Sequence, residues 1–399
     1  MNSYDYVVIG AGSVGAHVFS QLAQAGEGSV LLVEQYTPAY SRTAVGGDTR
    51  LFRMTVPEGA HYQGILEEAL RQWQSLNEMT GREVYQRTGC LYIGPADSEY
   101  MTGLYASVAE TGVDCVDVDP ADMARDYPQF RMYEDDVVAF DPVGGFLRTD
   151  LAVQSAVSIG LRHGGHVSRY NPVRSILKYP SGGWLVTTAD GPVYAGDVIV
   201  TTGAWSKGLV SAPLREMLEV RRSVLTWFGT ERPDQFTPDV FPVFKRVTPD
   251  INIFGAPTID GTQIKLSLAE NREVPDPDRI DQSLEPYERA RAVRAVQKGF
   301  HDVTPDVVRC DAFPDLYTAD QKPMIGRDPE TGAYLALGLS GKGFKMSAGI
   351  GALVAREVRE PDSQSSALGF ADPSRFVAAS YLPTVAEPSP SLLSEGAMR

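Results

Sequence analysis

The first thirty-four residues constrain the fold of this chain more than any other stretch. Tyr4 to Ile9 reads as a short buried strand, with Tyr6, Val7, Val8 and Ile9 in succession, and Gly10-Ala11-Gly12-Ser13-Val14-Gly15 follows at once. Ala16 to Ala25 carries Val18, Leu22 and Ala25 at helical spacing. Gly26 and Gly28 stop that helix, and Val30 to Val33 is a second apolar strand ending at Glu34. Gly10 permits the tight turn out of the strand, Gly12 lets the backbone approach a pyrophosphate, and Gly15 lets the helix pack on the sheet. The helix N-terminus offers free N–H groups and partial positive charge to phosphates. A carboxylate at Glu34 can accept hydrogen bonds from a ribose diol and would repel a 2′-phosphate, which disfavours NADP. A lone Gly-x-Gly-x-x-Gly is weak evidence. Strand, turn, helix, strand and acid in this order predict a dinucleotide-binding βαβ unit. FAD and NAD both use such a unit, and the motif alone does not choose between them.

A chain of 399 residues usually divides into two domains. With 43% hydrophobic and 22% charged residues, an ordinary globular protein is expected. The formal charge of -15 repels phosphate backbones and anionic lipids, which argues against nucleic-acid and membrane-surface roles. Cys90, Cys115 and Cys310 are odd in number and form no Cys-x-x-Cys pair, which argues against a disulfide framework and a zinc ribbon. Reduced cysteines fit a cytoplasmic protein. His163 and His166 flank Gly164-Gly165 and read as a turn, not a metal site. Met1 to Tyr6 has no basic region, the apolar run that follows breaks at Gly10, and no apolar run is long enough to cross a bilayer. A soluble, cytoplasmic protein is the expectation.

Helical periodicity is expected over 61–79, 98–111, 150–163 and 286–300, the last with Pro286 at its start. Strands are expected over 83–93, from about Val137, over 167–173 and 183–188 with a turn at 180–183, and over 197–201 running into Gly203. Gly203 follows a buried strand and allows a second close approach of backbone to a cofactor. Residues 216–275 read as a β-sheet with polar turns, with strands at 220–228, 243–246, 251–254 and 263–268. Strand-helix segments recur around 150–205 and 335–358, so one nucleotide-binding domain interrupted by insertions is predicted.

Several motifs together carry a resemblance: Val7–Gly15, Gly46-Gly47-Asp48-Thr49-Arg50-Leu51-Phe52-Arg53, Thr201-Thr202-Gly203-Ala204-Trp205, Ile264-Lys265-Leu266, Leu316-Tyr317-Thr318 and Gly341-Lys342-Gly343-Phe344-Lys345. In this order they resemble the FAD-dependent amine oxidoreductases of the D-amino-acid oxidase superfamily, with monomeric sarcosine oxidase and N-methyltryptophan oxidase as the nearest group. The resemblance implies an α/β (α+β) fold in which a Rossmann-like FAD-binding domain (1–83, 147–217, 322–382) is interleaved with a mixed β-sheet substrate domain (84–146, 218–321). A loosely held tail, 383–399, would follow. It further implies hydride transfer from a carbon next to nitrogen to flavin N5, hydrolysis of the imine, reoxidation by O2 giving hydrogen peroxide, and a monomer.

The candidate site residues follow from those motifs. Lys265 lies inside an apolar strand, where a cation beside a reduced flavin would stabilise charge moving to O2. The resemblance assigns it that oxygen-activating role. Arg50 matches an arginine near the flavin, and Arg53 one that grips the substrate carboxylate, for which a planar guanidinium fork is suited. Lys345 matches a lysine beside the same carboxylate, in a glycine-rich run whose helix would point its positive end at the flavin. Tyr317 is a candidate for the cavity wall. The implied cofactor contacts are Gly10, Gly12, Ser13, Val14, Gly15 and Glu34, then Arg42, Thr49, Arg50, Val173, Gly203, Trp205, Gly341, Gly343, Phe344 and Lys345.

Departures from the family pattern also inform. Relatives carry a flavin-linking cysteine where this chain has Asp315, and Cys310 lies five residues earlier, so non-covalent FAD is predicted. Two active-site histidines are replaced by Ala269 and Lys342, and a cavity tyrosine by Phe254. The substrate is therefore expected to be an N-methyl, cyclic or larger amino acid other than sarcosine, and Lys342 suits an acidic one. A dehydrogenase using another acceptor, a biosynthetic tailoring oxidase acting on a cyclic or carrier-bound amino acid, and a non-catalytic flavin-binding protein are the alternative readings.

Overall fold

The strand β1 (Asn2–Ile9) ends at Gly10, whose φ of 100° is closed to most side-chain-bearing residues, and helix α1 (Ser13–Ala25) starts just beyond. Strand β2 (Val30–Val33) returns parallel to β1, with Tyr6 opposite Val30 and Ile9 opposite Val33. The other edge of β1 pairs parallel with Gly191–Val200. These strands centre an eight-stranded sheet in this computed structural model, which describes residues 2–362 and 365–377. The expected loose tail, 383–399, lies outside the described residues, as does the end of the 322–382 segment. One face of the sheet is covered by α1 and the helices Gln63–Thr80, Thr149–Arg162 and Ser347–Arg359, around Phe19, Trp73, Ile199 and Ile350. The opposite face buries Val7, Leu31, Val198 and Leu335 in a second core.

A separate nine-stranded sheet is mixed. Val243–Val247 runs parallel to Cys90–Pro95, while its other neighbour, Asn252–Ala256, is antiparallel. Helix Pro286–Gly299 packs there beside an aromatic cluster of Phe130, Phe241, Phe244 and Phe300. A third, three-stranded sheet contains strand β3 (Thr49–Phe52), which touches both Asn252–Ala256 and the turn Phe344–Met346. That placement brings residues from the two large sheets to one place. No helix among the described residues is long and apolar enough to cross a membrane.

Two local expectations need correction, and one element was not expected. The run 83–93 is two strands, Tyr85–Arg87 and Cys90–Pro95, in different sheets, because the chain turns at Gly89 with φ of 76°. The run 167–173 also divides. His166–Ser168 pairs with β2, Tyr170 takes φ of 56°, and Val173–Lys178 begins a hairpin with Trp184–Thr188. Finally, Val303–Thr318 is one long strand that periodicity does not reveal, since Pro305 and Pro314 interrupt the pattern. Its only strand partner among the described residues is Leu218–Thr230, so it is an edge, where proline is tolerated.

Candidate active site

One cavity of about 1280 Å³ runs from the C-terminal ends of β1 and β2 to the nine-stranded sheet. Small-molecule sites commonly occupy roughly 300–1,000 Å³, so this one has room for a dinucleotide and a substrate together. At the nucleotide end it is lined by Gly10, Gly12, Ser13, Val14, Glu34, Val173, Gly203 and Trp205. The N-terminus of α1 has no side-chain cap and no acid in its first turn, and a Cβ on Gly12 would meet nothing within 4 Å. A helix N-terminus without a side-chain cap that opens onto a cavity suits an anion. Glu34 shapes the turn: its carboxylate oxygens accept from the backbone N–H groups of Ala11 at 2.7 Å and Tyr36 at 2.8 Å. Burial pushes its pKa up against the pull of those donors. Gly203, with φ of 52° and open space where a Cβ would stand, brings a second stretch of backbone to the cavity. These features fit the expected FAD. Gly15 lies behind this surface, where any side chain would strike the Gly10 carbonyl and the Thr201 hydroxyl. Arg42 is exposed and lies off the cavity lining.

The other end brings Arg50, Arg53, Lys342 and Lys345 together, with Glu58 and Asp315 among them. Arg50, on β3, donates to the carbonyls of Thr49 at 2.8 Å and Ala44 at 3.0 Å, and lies 4.9 Å over the Phe313 ring. Burial brings its pKa down to about 10. Thr49 is buried and contributes its carbonyl from outside the lining. Arg53 donates to the Tyr100 hydroxyl at 2.9 Å and sits 5.7 Å over Tyr92. Burial pulls its pKa down, but Tyr100, Tyr92 and Glu58 outweigh that and hold it above the ordinary value. Lys345 is buried, donates to the Lys342 carbonyl at 3.2 Å, and is pushed down to about 7 by burial and then by Arg53. It lies in the turn Phe344–Met346 that enters the helix Ser347–Arg359, so the expected helix does begin beside the cavity. Gly341, Gly343 and Phe344 line the same wall.

Three groups here were missed by the sequence reading. Glu58 lines the cavity with one carboxylate oxygen buried and unpartnered. Burial raises its pKa, yet Arg53, Lys345 and Lys342 win and hold it below the usual value. Tyr100 is the hydroxyl on Arg53. Lys245 reaches the cavity from the strand Val243–Val247. A lysine inside an apolar strand was the signal that singled out Lys265, and the same signal was present at Lys245.

Lys265 is 1% exposed, which removes the possibility of a solvent-facing lysine. Its ammonium donates to the carbonyls of Gly47, at 3.0 Å, and Thr49, lies 5.4 Å over Trp227, and does not line the cavity. Burial, then Arg50, holds its pKa well below the ordinary lysine value. Tyr317 is buried on the cavity wall, its hydroxyl accepting from Asn271 at 3.0 Å. Phe254, Ala269 and Lys342 all line the cavity, as does Asp315, whose carboxyl is pushed up by burial. The ladder between Leu218–Thr230 and Val303–Thr318 is regular from Arg309 to Thr318. An odd separation therefore turns Cys310 to the face opposite Asp315. There Cys310 meets the Gln282 carbonyl, off the cavity.

Comparison with known proteins agrees with this geometry. The chain is 25% identical to a monomeric sarcosine oxidase of Streptomyces avermitilis over 94% of this chain and 99% of that protein. It is 24% identical to an N-methyl-L-tryptophan oxidase of Salmonella dublin over 88% and 94%. Its fold matches the crystal structure of L-proline dehydrogenase from P. horikoshii with a TM-score of 0.80 at 20% identity, covering 94% of this chain and 98% of that one. The family model described as FAD dependent oxidoreductase (DAO) matches residues 5–357. With that match spanning both the nucleotide cradle and the cationic end of the cavity, the chain belongs to the DAO family of FAD-dependent oxidoreductases.

Proposed function

We propose that the protein oxidises the C–N bond of an amino acid, with non-covalent FAD and O2 as the electron acceptor. The observation that carries this reading is the pairing of Arg53 with Lys345. They come from distant parts of the chain to one cavity end, and neither forms an ion pair among the described residues. Glu58 acts on both electrostatically but forms no ion pair with either, so a substrate carboxylate would supply the contact partner, with Arg53 offering a two-pronged donor and Lys345 a point charge. Bound FAD would accept two electrons and a proton as hydride from the carbon next to nitrogen. The chain's part is to hold that carbon in place and exclude water, since positioning and desolvation carry such a step. The amine must be neutral to react, and the cationic wall of Arg53, Lys342 and Lys345 favours its deprotonated form. Tyr317 and Phe254 bound the side-chain space. Asp315 in the lining and Cys310 on the far face of the strand support release of the flavin without a covalent link. Lys342 is assigned to favouring an acidic or larger substrate. A monomer is the working assembly.

Acid precipitation of the yellow protein tests the cofactor reading. FAD in the supernatant is expected, and flavin retained in the pellet overturns non-covalent binding. Screening N-methyl and cyclic amino acids for flavin bleaching under argon, and for peroxide in air, tests the reaction. If none bleaches the flavin, the substrate reading is wrong.

One observation favours a second reading, a dehydrogenase with another acceptor: the Lys265 ammonium is already engaged by two carbonyls. Mixing the reduced enzyme with air separates the two, since only the oxidase reoxidises rapidly.

A further inference from the structure

The cavity holds more cationic groups near Arg53 than one carboxylate requires, although Asp97, Glu99 and Asp135 also belong to its lining. Arg53, Lys345 and Lys342 form one side, around Glu58. Lys245 approaches from the sheet, on a different element, within electrostatic reach of Arg53 and Glu58. Its ammonium has one hydrogen-bond acceptor, the side-chain oxygen of Asn252, and lies 5.8 Å over the Phe254 ring. Lys245 is half-buried and its bond to Asn252 is exposed, so it is partly desolvated; that burial, then Arg53, brings its pKa down to about 7, and it forms no ion pair among the described residues.

The neighbouring residue supplies the comparison. Arg246, on the opposite face of the same strand, is fully buried and meets Asp136 at 2.6 Å. Arg222, 1% exposed at its side chain, meets Glu288 at 2.5 Å. Buried Arg246 and Arg222 are thus each given a counter-charge. Even a partly desolvated cation without a counter-ion carries a cost, which a ligand's charge reduces. Glu58 does not serve Lys245 alone, because Arg53, Lys345 and Lys342 all draw on it.

We propose that Lys245 binds a second anionic group of the substrate, opposite the carboxylate held by Arg53 and Lys345, so that the substrate is an amino acid with an acidic side chain. This rests on the amino-acid reading above and narrows it to a substrate class. The side-chain anion can be a carboxylate or a phosphate, since an ammonium accepts either.

The test uses pairs with and without the side-chain anion, of which the acid and amide pair differs in charge but hardly in shape. On the flavin-loaded enzyme, N-methyl-L-glutamate is compared with N-methyl-L-glutamine, and N-methyl-O-phospho-L-serine with N-methyl-L-serine. A charge-assisted contact should favour the acid over the amide by roughly 10- to 100-fold in kcat/KM. Lys245→Met should collapse that ratio toward one, and Lys245→Glu should invert it. Whichever acid shows the larger ratio identifies the anion. Equal use of acid and amide by the unaltered enzyme, or a ratio that survives Lys245→Met, overturns the proposal. Calorimetric binding of glutarate against its monoamide needs neither turnover nor a variant. Tighter binding of glutarate supports the anion site even if no amino acid reduces the flavin, an outcome that would overturn only the reaction assigned above. Equal binding overturns the Lys245 assignment whatever the turnover shows.

Discussion

The indole N–H of Trp73 donates a 2.9 Å hydrogen bond to the backbone carbonyl of Lys345, tying the helix Gln63–Thr80 to the turn that aims Lys345 into the cavity. Trp73 is fully buried, edge-on to His17 and stacked with Phe344. Trp73→Phe removes the donor and part of the ring, and should destabilise the protein by about 1–3 kcal/mol. It should also raise the Michaelis constant for a carboxylate substrate, because Lys345 loses its anchor. An unchanged denaturation midpoint would show that the bond has no structural weight.

The two glycines of the nucleotide turn should fail in different ways. A methyl group on Gly12 meets no protein atom within 4 Å, so Gly12→Ala should fold normally yet lose flavin, because the methyl occupies space needed by phosphate. A methyl group on Gly15 collides with the Gly10 carbonyl and Thr201, so Gly15→Ala should lower the melting temperature whether or not FAD is added. Thermal melts with and without added FAD measure both effects. Flavin retention by Gly12→Ala would contradict the cradle.

Lys265→Met removes a buried cation close to Arg50 while keeping its length. If this charge stabilises electron transfer to O2, reoxidation of the reduced enzyme should slow by about 10²–10³-fold, as on removing one preorganised electrostatic donor. Anaerobic reduction by substrate should change far less. Stopped-flow traces of the two half-reactions give the answer, and equal slowing of both would make Lys265 a structural residue.

Carboxylate binding should depend on pH. Lys345 and Lys245 each have a pKa near 7 in the free protein, lowered chiefly by burial. A bound anion favours the charged form and raises both values, so binding takes up protons above the free pKa. Affinity is thus fully present below about pH 7 and is lost as the pH rises through the higher pKa of the complex. Glu58, held below its usual value, stays ionised throughout and does not contribute to this change. Calorimetry of glutarate binding in two buffers of different ionisation enthalpy measures the uptake directly. A flat profile between pH 6 and about 9 would mean that neither lysine meets the ligand.

The nucleotide cradle was legible in the sequence because its logic is local. Glycine dihedrals, a helix start and an acid at the end of β2 all lie within one contiguous stretch, and Gly10, Gly12 and Glu34 occupy the positions that stretch predicts. The cationic end was only partly legible. Arg53 and Lys345 came from family resemblance, and the fold brings both to the same cavity. The long strand Val303–Thr318 was hidden because its prolines are tolerable only at an edge, and edge position is a property of the assembled sheet.

The sequence by itself determined that a βαβ dinucleotide unit would form and that polar residues would interrupt apolar strands. Tertiary structure alone decided which of those charges face the same space. Lys245 and Arg246 are adjacent in the chain, yet strand alternation sends one toward the cavity and the other to Asp136. Lys245 acts on Arg53 and Glu58 only because two distant segments converge. Coulomb energy depends on distance and burial, and neither is written in the order of residues along a chain.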